Sequence, residues 1–146
     1  MAKNRGGTES LKRKIAALNQ IKTTLPDILA NDSVNFFKAS FRKQAWEDEG
    51  LQKWKPRKAK EKAGRGILIK SGDLVKSIFV ESANWKRIRI VSNLPYSAIH
   101  NEGLKGLAFG KHPFQMPKRK YMGRSRKLHT LLRNRIETKL NTAFKA

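Results

Sequence analysis

Apolar residues recur at helical spacing at both ends of the 146-residue chain, and this pattern limits how the chain can fold. Near the N-terminus, after a basic flexible tail at residues 1–7, it predicts a helix that Thr8 or Ser10 caps and that Pro26 ends or kinks. The apolar face of this helix consists of Leu11, Ile15, Leu18, Ile21 and Leu25. Because such a stripe has to be buried, the rest of the chain must supply a partner for it.

Two further helices are predicted, one from Asp32 or Ser33 up to the stop at Gly50, and a last one over Ser125–Phe144. The first of these has a broad, mostly aromatic face made of Phe36, Phe37, Phe41, Ala45 and Trp46. The apolar stripe of the last helix consists of Leu128, Leu131, Leu132, Ile136 and Leu140. Lys and Arg cover the remainder of the last helix, so we expect its stripe to face a sheet and its cations to face away from the core.

The segment from Leu51 to Gly66 contains one proline, two glycines and a dense set of Lys and Arg. This composition predicts a long, mobile, cationic loop. Loops of this length are uncommon in compact domains and are either functional or disordered. Trp54 beside Pro56 favours the functional interpretation, because a large aromatic side chain is seldom left in solvent.

The centre of the chain has the pattern of a β-hairpin, with strands predicted at Phe79–Ser82 and Trp85–Ser92. A short helical turn capped by Ser71 precedes the hairpin, a short helix at Tyr96–His100 follows it, and Leu104–Pro117 is predicted to be a loop. The predicted fold is therefore α+β, with one domain over residues 8–146. In it a small antiparallel sheet, the β-hairpin core, packs with N-terminal helices and a C-terminal amphipathic helix.

The chain is strongly basic, with 33 Lys and Arg against 11 Asp and Glu and a formal net charge of +22. Twelve of these cations lie from Gly103 onward, where Glu137 is the one acidic residue. A surface of this kind attracts polyanions, so the partner is expected to be nucleic acid or a very acidic protein surface.

Some classes of function are excluded by what the sequence lacks. Without cysteine there is no disulfide framework, no thiolate nucleophile and no cysteine-based metal site. No apolar run approaches the ~18 residues needed to span a bilayer, and no signal peptide follows Met1, so we expect a protein kept in a cytoplasm-like compartment. Gly64, Gly66 and Gly72 lack the strand–loop–helix frame of a phosphate loop.

His100 is the residue that most invites a catalytic interpretation, because it lies near Tyr96 and Glu102. Catalysis would require a nucleophile or a second carboxylate, and neither stands out in the sequence. His112 and His129 do not complete a metal-ligand spacing with it. We therefore interpret His100 as structural and expect its side chain to hydrogen-bond a backbone carbonyl or Glu102.

The sequence supports nucleic-acid binding better than it supports catalysis. The segments "KWKPRKAKEKAGR" and "KRKYMGRSRK" mix Lys and Arg with Trp54 and Tyr121, residue types that contact phosphates and stack on bases. The sequence has no RRM signature, KH loop, zinc finger or evident recognition helix. The pattern thus indicates affinity for polyanions and not sequence-specific reading.

Three segments occur in a recognisable order after the aromatic helix and "QKWKP". They are "SGDLVKSI" (Ser71–Ile78), "YSAIHNEG" (Tyr96–Gly103) and "MPKRKYMGRS" (Met116–Ser125). In this order they resemble the motifs of the phage virion-morphogenesis family, the tail-completion proteins of Mu-like and P2-like phages. The resemblance covers about Phe36 to Leu140. The chain departs from the family pattern at Ser71, Ser97, Lys118 and Lys120, where Thr, Ala, Ala and Pro are common.

The resemblance implies a non-enzymatic virion protein that completes the tail at its head-proximal end and helps to join tail and head. Related tail-end proteins form rings, usually hexamers, so the implied partners are copies of this chain, neighbouring neck and tail proteins, and phage DNA passing through the lumen. It implies no cofactor, no metal and no membrane, and a place in the virion after assembly in the host cytoplasm. The structural motif residues are Gly72, Leu74, Ile78, Tyr96, His100, Gly103, Pro117 and Arg119.

We expect two groups of residues to meet neighbouring subunits. They are the apolar anchors Trp54, Phe109 and Phe114 on the two predicted loops, and Arg126, Arg133 and Arg135 on the last helix. For Trp54 the edge of its own core is the alternative contact. Stacked around a ring, these cations would repel one another, so acidic protein or DNA should lie opposite them. We favour an acidic protein, because charge complementarity fixes how two proteins align at their interface. A small basic nucleic-acid-binding protein is the alternative.

Overall fold

The computed structural model describes residues 5–57 and 66–145. The elements are α1 (Arg5–Lys43), β1 (Ala45–Glu47), β2 (Leu51–Lys53), α2 (Asp73–Lys76), β3 (Ile78–Ala83), β4 (Ile88–Ser92), α3 (Ser97–Glu102), β5 (Lys105–Ala108), β6 (His112–Gln115) and α4 (Arg126–Lys145). Long N-terminal and C-terminal helices pack with three small antiparallel hairpins, which confirms the predicted α+β class. The strands form three separate two-stranded sheets, β1-β2, β3-β4 and β5-β6.

The N-terminal part of the chain forms one continuous helix, and the prediction of two helices separated at Pro26 was wrong. Pro26 lies inside α1 and is buried, between the fully buried Leu25 and Ala30. A proline in a helix interior removes one backbone hydrogen bond, but the apolar face runs unbroken through it, and burial of that face holds the helix together. Residues 5–7, predicted to be part of a flexible tail, already belong to α1.

Helix α1 ends at Gln44, which has a left-handed backbone conformation with φ 52°. The aromatic stripe therefore does not continue as a helix, and Ala45 and Trp46 lie in β1 instead. The turn of the β1–β2 hairpin contains Asp48, whose N–H donates to the carbonyl of Gly50. The acidic turn is thus a hairpin turn and not the predicted helix end.

The hairpin also reaches into the segment predicted to be a mobile loop. Residues Leu51–Lys53 form β2, and the N–H of Trp54 donates to the carbonyl of Gln44 over 2.9 Å. The indole of Trp54 is only 7% exposed and packs edge-on against Phe41. The start of this segment is therefore ordered by the core, whereas residues 58–65 lie outside the described residues.

The β3–β4 hairpin lies near its predicted position, with Ile78 opposite Ser92 and a register shift between Val80 and Ser82. The β5–β6 hairpin was not predicted, because glycines and prolines at Leu104–Pro117 indicated a loop. Its turn holds Phe109 and Gly110 at φ 53° and 70°, the backbone conformation that a tight hairpin turn requires.

The hydrophobic core lies between α1, the first two hairpins and the start of α4. Its buried members are Phe37, Phe41, Trp46, Trp54, Leu74, Ile78, Tyr121 and Leu128. Helix α4 packs along α1 and not on a sheet as predicted, with Leu128 and Ala143 as its buried residues. The 20-residue α4 needs a partner at least as long as itself, which the 39-residue α1 is and the short two-stranded sheets are not.

Candidate assembly site

The motif segments converge on α3, where one side chain holds the main chain of residues 116–122. The amide oxygen of Asn101 accepts hydrogen bonds from the N–H groups of Tyr121 (2.9 Å) and Met122 (3.0 Å), and its Nδ2 donates to the Met122 carbonyl. The hydroxyl of Tyr121 is bonded to both the side chain and the carbonyl of Ser97. We call Ser97, Asn101, Tyr121 and Met122 the α3 clasp. Asn101 was missed in the sequence, although it lies within a motif segment.

Two motif glycines have the positive φ that only glycine adopts without strain. Gly72 precedes α2 with φ 77°, while Ser71, which was expected to cap this helical turn, contacts Asp73 and is not the N-cap residue. Gly103 ends α3 with φ 69°, and a Cβ added to it would lie 2.7 Å from the backbone nitrogen of Lys118. The α3 helix and the segment after Met116 therefore touch at a point where no side chain fits.

His100 joins the same two segments through its main chain. Its carbonyl accepts the N–H of Arg119 over 2.9 Å, while its ring lies edge-on to Tyr96. Nδ1 of His100 is buried and has no hydrogen-bond partner among the described residues. The side-chain bond expected for His100, to a backbone carbonyl or to Glu102, is absent among the described residues, and the Glu102 carboxylate instead contacts Asn101 and Lys118. Burial, and then the charge of Arg119, lower the pKa of His100 below its ordinary value.

Arg119 and Trp54 fix the third motif segment to the region after β2. The Arg119 side chain is buried, and its Nε donates to the carbonyl of Lys55 over 3.1 Å. Trp54 Nε1 donates to the carbonyl of Lys120 over 2.8 Å. Trp54, expected as an interface anchor on a mobile loop, therefore contacts the core of its own chain. Among the other motif residues, Leu74 and Ile78 lie in the core, Pro117 is half-buried and Tyr96 is exposed.

The other two expected apolar anchors lie on the β5–β6 hairpin, in different environments. Phe109 is 95% exposed at the turn. Phe114 is half-buried, and its ring lies so close to Gly106 that a Cβ there would come within 2.6 Å of it. Phe114 thus stiffens the hairpin, and Phe109 is the residue available to a neighbouring molecule.

Two of the three arginines expected to face a neighbour are paired within the chain. Arg135 forms a double hydrogen bond with Asp32 of α1, through Nε at 2.7 Å and Nη2 at 3.2 Å. Arg126 forms an ion pair with Glu49 in the β1–β2 turn. Arg133 is exposed and has no ion pair with another described residue. All three arginines are exposed and face away from the core as expected, but acidic residues of the β1–β2 turn and of α1 lie opposite Arg126 and Arg135.

The described residues contain no group of three or more His, Asp and Glu side chains that could hold a metal ion. None of the helices in this part of the chain is both long enough and apolar enough to cross a membrane.

The motif residues lie mainly in the core or bind main-chain groups, and this arrangement is typical of a structural subunit. A model of the phage virion morphogenesis family matches residues 8–141. The chain therefore belongs to the phage virion morphogenesis family, which confirms the resemblance of its motifs. It is a phage virion component with a structural or assembly role, in a family that is generally non-catalytic. No curated protein and no solved structure matches the chain.

Proposed function

We propose that this chain completes the tail at its head-proximal end and acts by assembling with copies of itself and with neck and tail proteins, without catalysing a reaction. The observation that carries the proposal is the β5–β6 hairpin, which presents a bare aromatic side chain to solvent. The position at the head-proximal end and the ring, expected to be a hexamer, come from the resemblance of the motifs to tail-completion proteins.

The β5–β6 hairpin lacks the support that a two-stranded sheet normally needs. Such a sheet is marginally stable in water unless a further element covers it. In the described part of the chain no helix or other strand packs extensively on this hairpin. Leu107 and Phe109 are exposed along it, at 62% and 95%. A neighbouring subunit that covered these side chains would bury apolar area and stabilise the hairpin at once.

The N-terminal half of α1 presents a second apolar surface. Leu11 and Ile15 are exposed at 57% and 50%, although they belong to the same stripe as the fully buried Leu25. Trp85, at the β3–β4 turn, is also largely exposed and donates its indole N–H to the carbonyl of Lys22. The stripe thus extends beyond the core of its own chain, and in a ring the next subunit would cover it.

The excess of cations supports a negatively charged neighbour. Arg126 and Arg135 form ion pairs within the chain. Arg133, Lys127 and Lys139 form none with described residues, so they are available to a neighbouring molecule. An acidic neck or tail protein, or phage DNA in the lumen, has the complementary charge.

The experiment compares two exposed phenylalanines. Phe109→Ser removes the proposed anchor at the hairpin turn, while Phe144→Ser removes a 57% exposed ring near the end of α4 and serves as the control. Analytical ultracentrifugation, with and without nuclease, measures the oligomer. Infection with a phage that lacks the gene, complemented by each variant, measures the yield of joined particles. We expect Phe109→Ser to lose oligomer and joined particles, and Phe144→Ser to keep both.

The same experiment distinguishes the proposed assembly role from the alternative, a small nucleic-acid-binding protein. In that case the native chain would sediment as a monomer after nuclease treatment, and its binding to nucleic acid would fall steeply with salt. A nuclease-resistant oligomer that Phe109→Ser leaves unchanged would overturn the role of the hairpin. A monomer that complements fully would overturn ring assembly.

A further inference from the structure

A cleft of about 330 Å³ lies beside α3, away from the β5–β6 hairpin. Four of its lining residues carry basic groups, Arg57, Lys70, His100 and Arg119. Its apolar wall is formed by Ile67, Leu68 and Leu74, with Tyr96 at one side. We call this feature the basic cleft.

Arg119 is the central observation, because it is a buried cation without a charged partner. Its side chain is 6% exposed, and arginine is almost never buried to this degree unless it is paired. Lys55 contributes only a neutral carbonyl, at Nε. No acid among the described residues forms an ion pair with Arg119. Burial, and then the nearby charge of Arg57, lower its pKa.

The other groups of the cleft add to its excess of positive charge. The guanidinium of Arg57 is held by its bond to the Gly66 carbonyl, and Lys70 is exposed and forms no ion pair with a described residue. Nδ1 of His100 is buried without a partner among the described residues. Asp73, next to the cleft residue Leu74, accepts a hydrogen bond from the Ser71 hydroxyl. The buried guanidinium of Arg119, the exposed guanidinium of Arg57 and an ammonium group therefore surround a space without an anion from the described chain.

We propose that the basic cleft binds the carboxylate of an acidic peptide segment from a different virion protein, with Arg119, Arg57 and Lys70 as its cationic contacts. Planar guanidinium groups that backbone bonds hold in place suit a carboxylate, which they engage in pairs of hydrogen bonds. That the partner is a virion protein rests on the proposed function. The affinity of the cleft for a carboxylate does not.

The walls of the cleft favour a peptide over nucleic acid. Ile67, Leu68 and Leu74 form an apolar surface beside the cations, which fits an aliphatic side chain next to an acidic one. Duplex DNA would present rows of phosphates to a convex basic surface and would leave this wall uncovered.

A second copy of the chain is a poor donor of the carboxylate. Six of its eleven acidic residues already form ion pairs within the described chain, at Glu9, Asp32, Glu47, Glu49, Glu81 and Glu102. Asp48 and Asp73 accept hydrogen bonds within it. Charge complementarity therefore favours a more acidic partner.

The test is calorimetric titration of the full-length protein, at a physiological ionic strength of about 0.15 M, with a short synthetic peptide that has one Glu between two Leu residues. A peptide with Gln in place of Glu is the ligand control. The variant Arg57→Gln with Lys70→Gln alters the exposed rim of the cleft, so it is expected to fold, and thermal melting verifies this. Arg87→Gln with Lys145→Gln removes the same charge elsewhere on the exposed surface.

We expect the Glu peptide to bind and the Gln peptide to bind at least about tenfold more weakly. The cleft variant should lose about tenfold in affinity for the Glu peptide, while the charge-matched control changes by less than about twofold. Equal losses in both variants would show non-specific attraction and overturn the proposal, as would equal binding of the two peptides.

Two further measurements exclude other occupants. Both the cleft variant and the control should lose affinity for a short DNA duplex equally. A loss confined to the cleft variant would identify DNA phosphate as the ligand.

Glu61→Gln removes the acid that the sequence places between Arg57 and Gly66. If this variant binds the Glu peptide about tenfold more tightly than the native chain, the occupant is the chain's own carboxylate and the proposal is wrong. Neither result bears on the oligomer, which the Phe109→Ser experiment tests separately.

Discussion

At the scale of single residues, the motif positions are explained by close contacts of the main chain. Gly103 and Gly110 have nearly the same φ, 69° and 70°, but different surroundings. A Cβ at Gly103 would strike the backbone of Lys118, whereas a Cβ at Gly110 would meet no atom within 4 Å. Substitutions at these two glycines therefore distinguish the free-energy cost of a left-handed backbone from the cost of a clash between Cβ and a neighbouring segment.

We predict that Gly110→Ala lowers the free energy of unfolding by about 1 kcal/mol, because alanine is strained in the left-handed region. Gly103→Ala should cost about 1–3 kcal/mol more, since Lys118 must also move. Urea denaturation of both variants measures the difference. Equal losses would mean that the contact between α3 and residue 118 relaxes without cost.

His100 has a pH dependence that follows from its surroundings. Its pKa is lowered in the folded chain, so the folded chain binds its proton less readily than the unfolded chain does. The stability associated with neutral His100 is thus present above its ordinary pKa of about 6.5 and is lost as the pH falls below it. The cations that line the same cleft, Arg57, Lys70 and Arg119, all oppose protonation.

We therefore predict that the free energy of unfolding falls as the pH drops below about 6.5, because the unfolded chain then binds the proton of His100 more readily than the folded chain does. His100→Gln should flatten that decline, while His129→Gln, at an exposed position on α4, should keep it. Denaturation curves at several pH values measure the slopes. Parallel slopes for the native chain and His100→Gln would show that His100 does not contribute.

At the scale of elements, the start of α4 is held by the turn of the β1–β2 hairpin. The hydroxyl of Ser125 donates to the Glu47 carbonyl over 2.8 Å and accepts the N–H of Leu128, and so caps the helix. The carboxylate of Asp48 accepts the N–H of Arg126 at the positive end of the helix. A turn far away in the sequence thus supplies the hydrogen-bond acceptors that the first turn of α4 needs.

We predict that Ser125→Ala lowers the free energy of unfolding by about 2 kcal/mol, since it removes a helix cap and a buried hydrogen bond together. Thr138→Ala removes a hydroxyl that bonds only to its own helix, at the Asn134 carbonyl, and should change stability by less than about 0.5 kcal/mol. Denaturation measures both, and hydrogen exchange at the Leu128 amide reports the first turn. Unchanged exchange in Ser125→Ala would contradict the capping role.

The elements also show what the sequence could predict. The helical stripes, the β3–β4 hairpin and α3 depend on local periodicity, which a sequence displays. The uninterrupted α1 could not be predicted, because burial of Leu25 and Ala30 outweighs the local signal of Pro26. The β5–β6 hairpin was hidden because Phe109 adopts a positive φ that aromatic residues rarely have.

At the scale of the whole molecule, the positions of the motifs were predictable but their contacts were not. The order of the three segments indicated the family correctly. The α3 clasp and the basic cleft each require residues that are far apart in the chain, such as Asn101 with Tyr121 and Arg57 with Arg119. For the same reason the sequence left open whether Trp54 meets a neighbouring chain or its own core, because its partner carbonyl, at Lys120, is 66 residues away.

The pairing of α1 with α4 has a consequence for the order of events during translation. Asp32 and Arg135, which bond across the two helices, are 103 residues apart. At a synthesis rate of about 5–20 residues per second, α1 waits roughly 5–20 s on the ribosome before α4 has been made. A chain that has not yet reached α4 lacks the helix that packs along α1, so this part of the core forms only after α4 has been made. Subunits become fit to enter a particle only after their last helix has been synthesised.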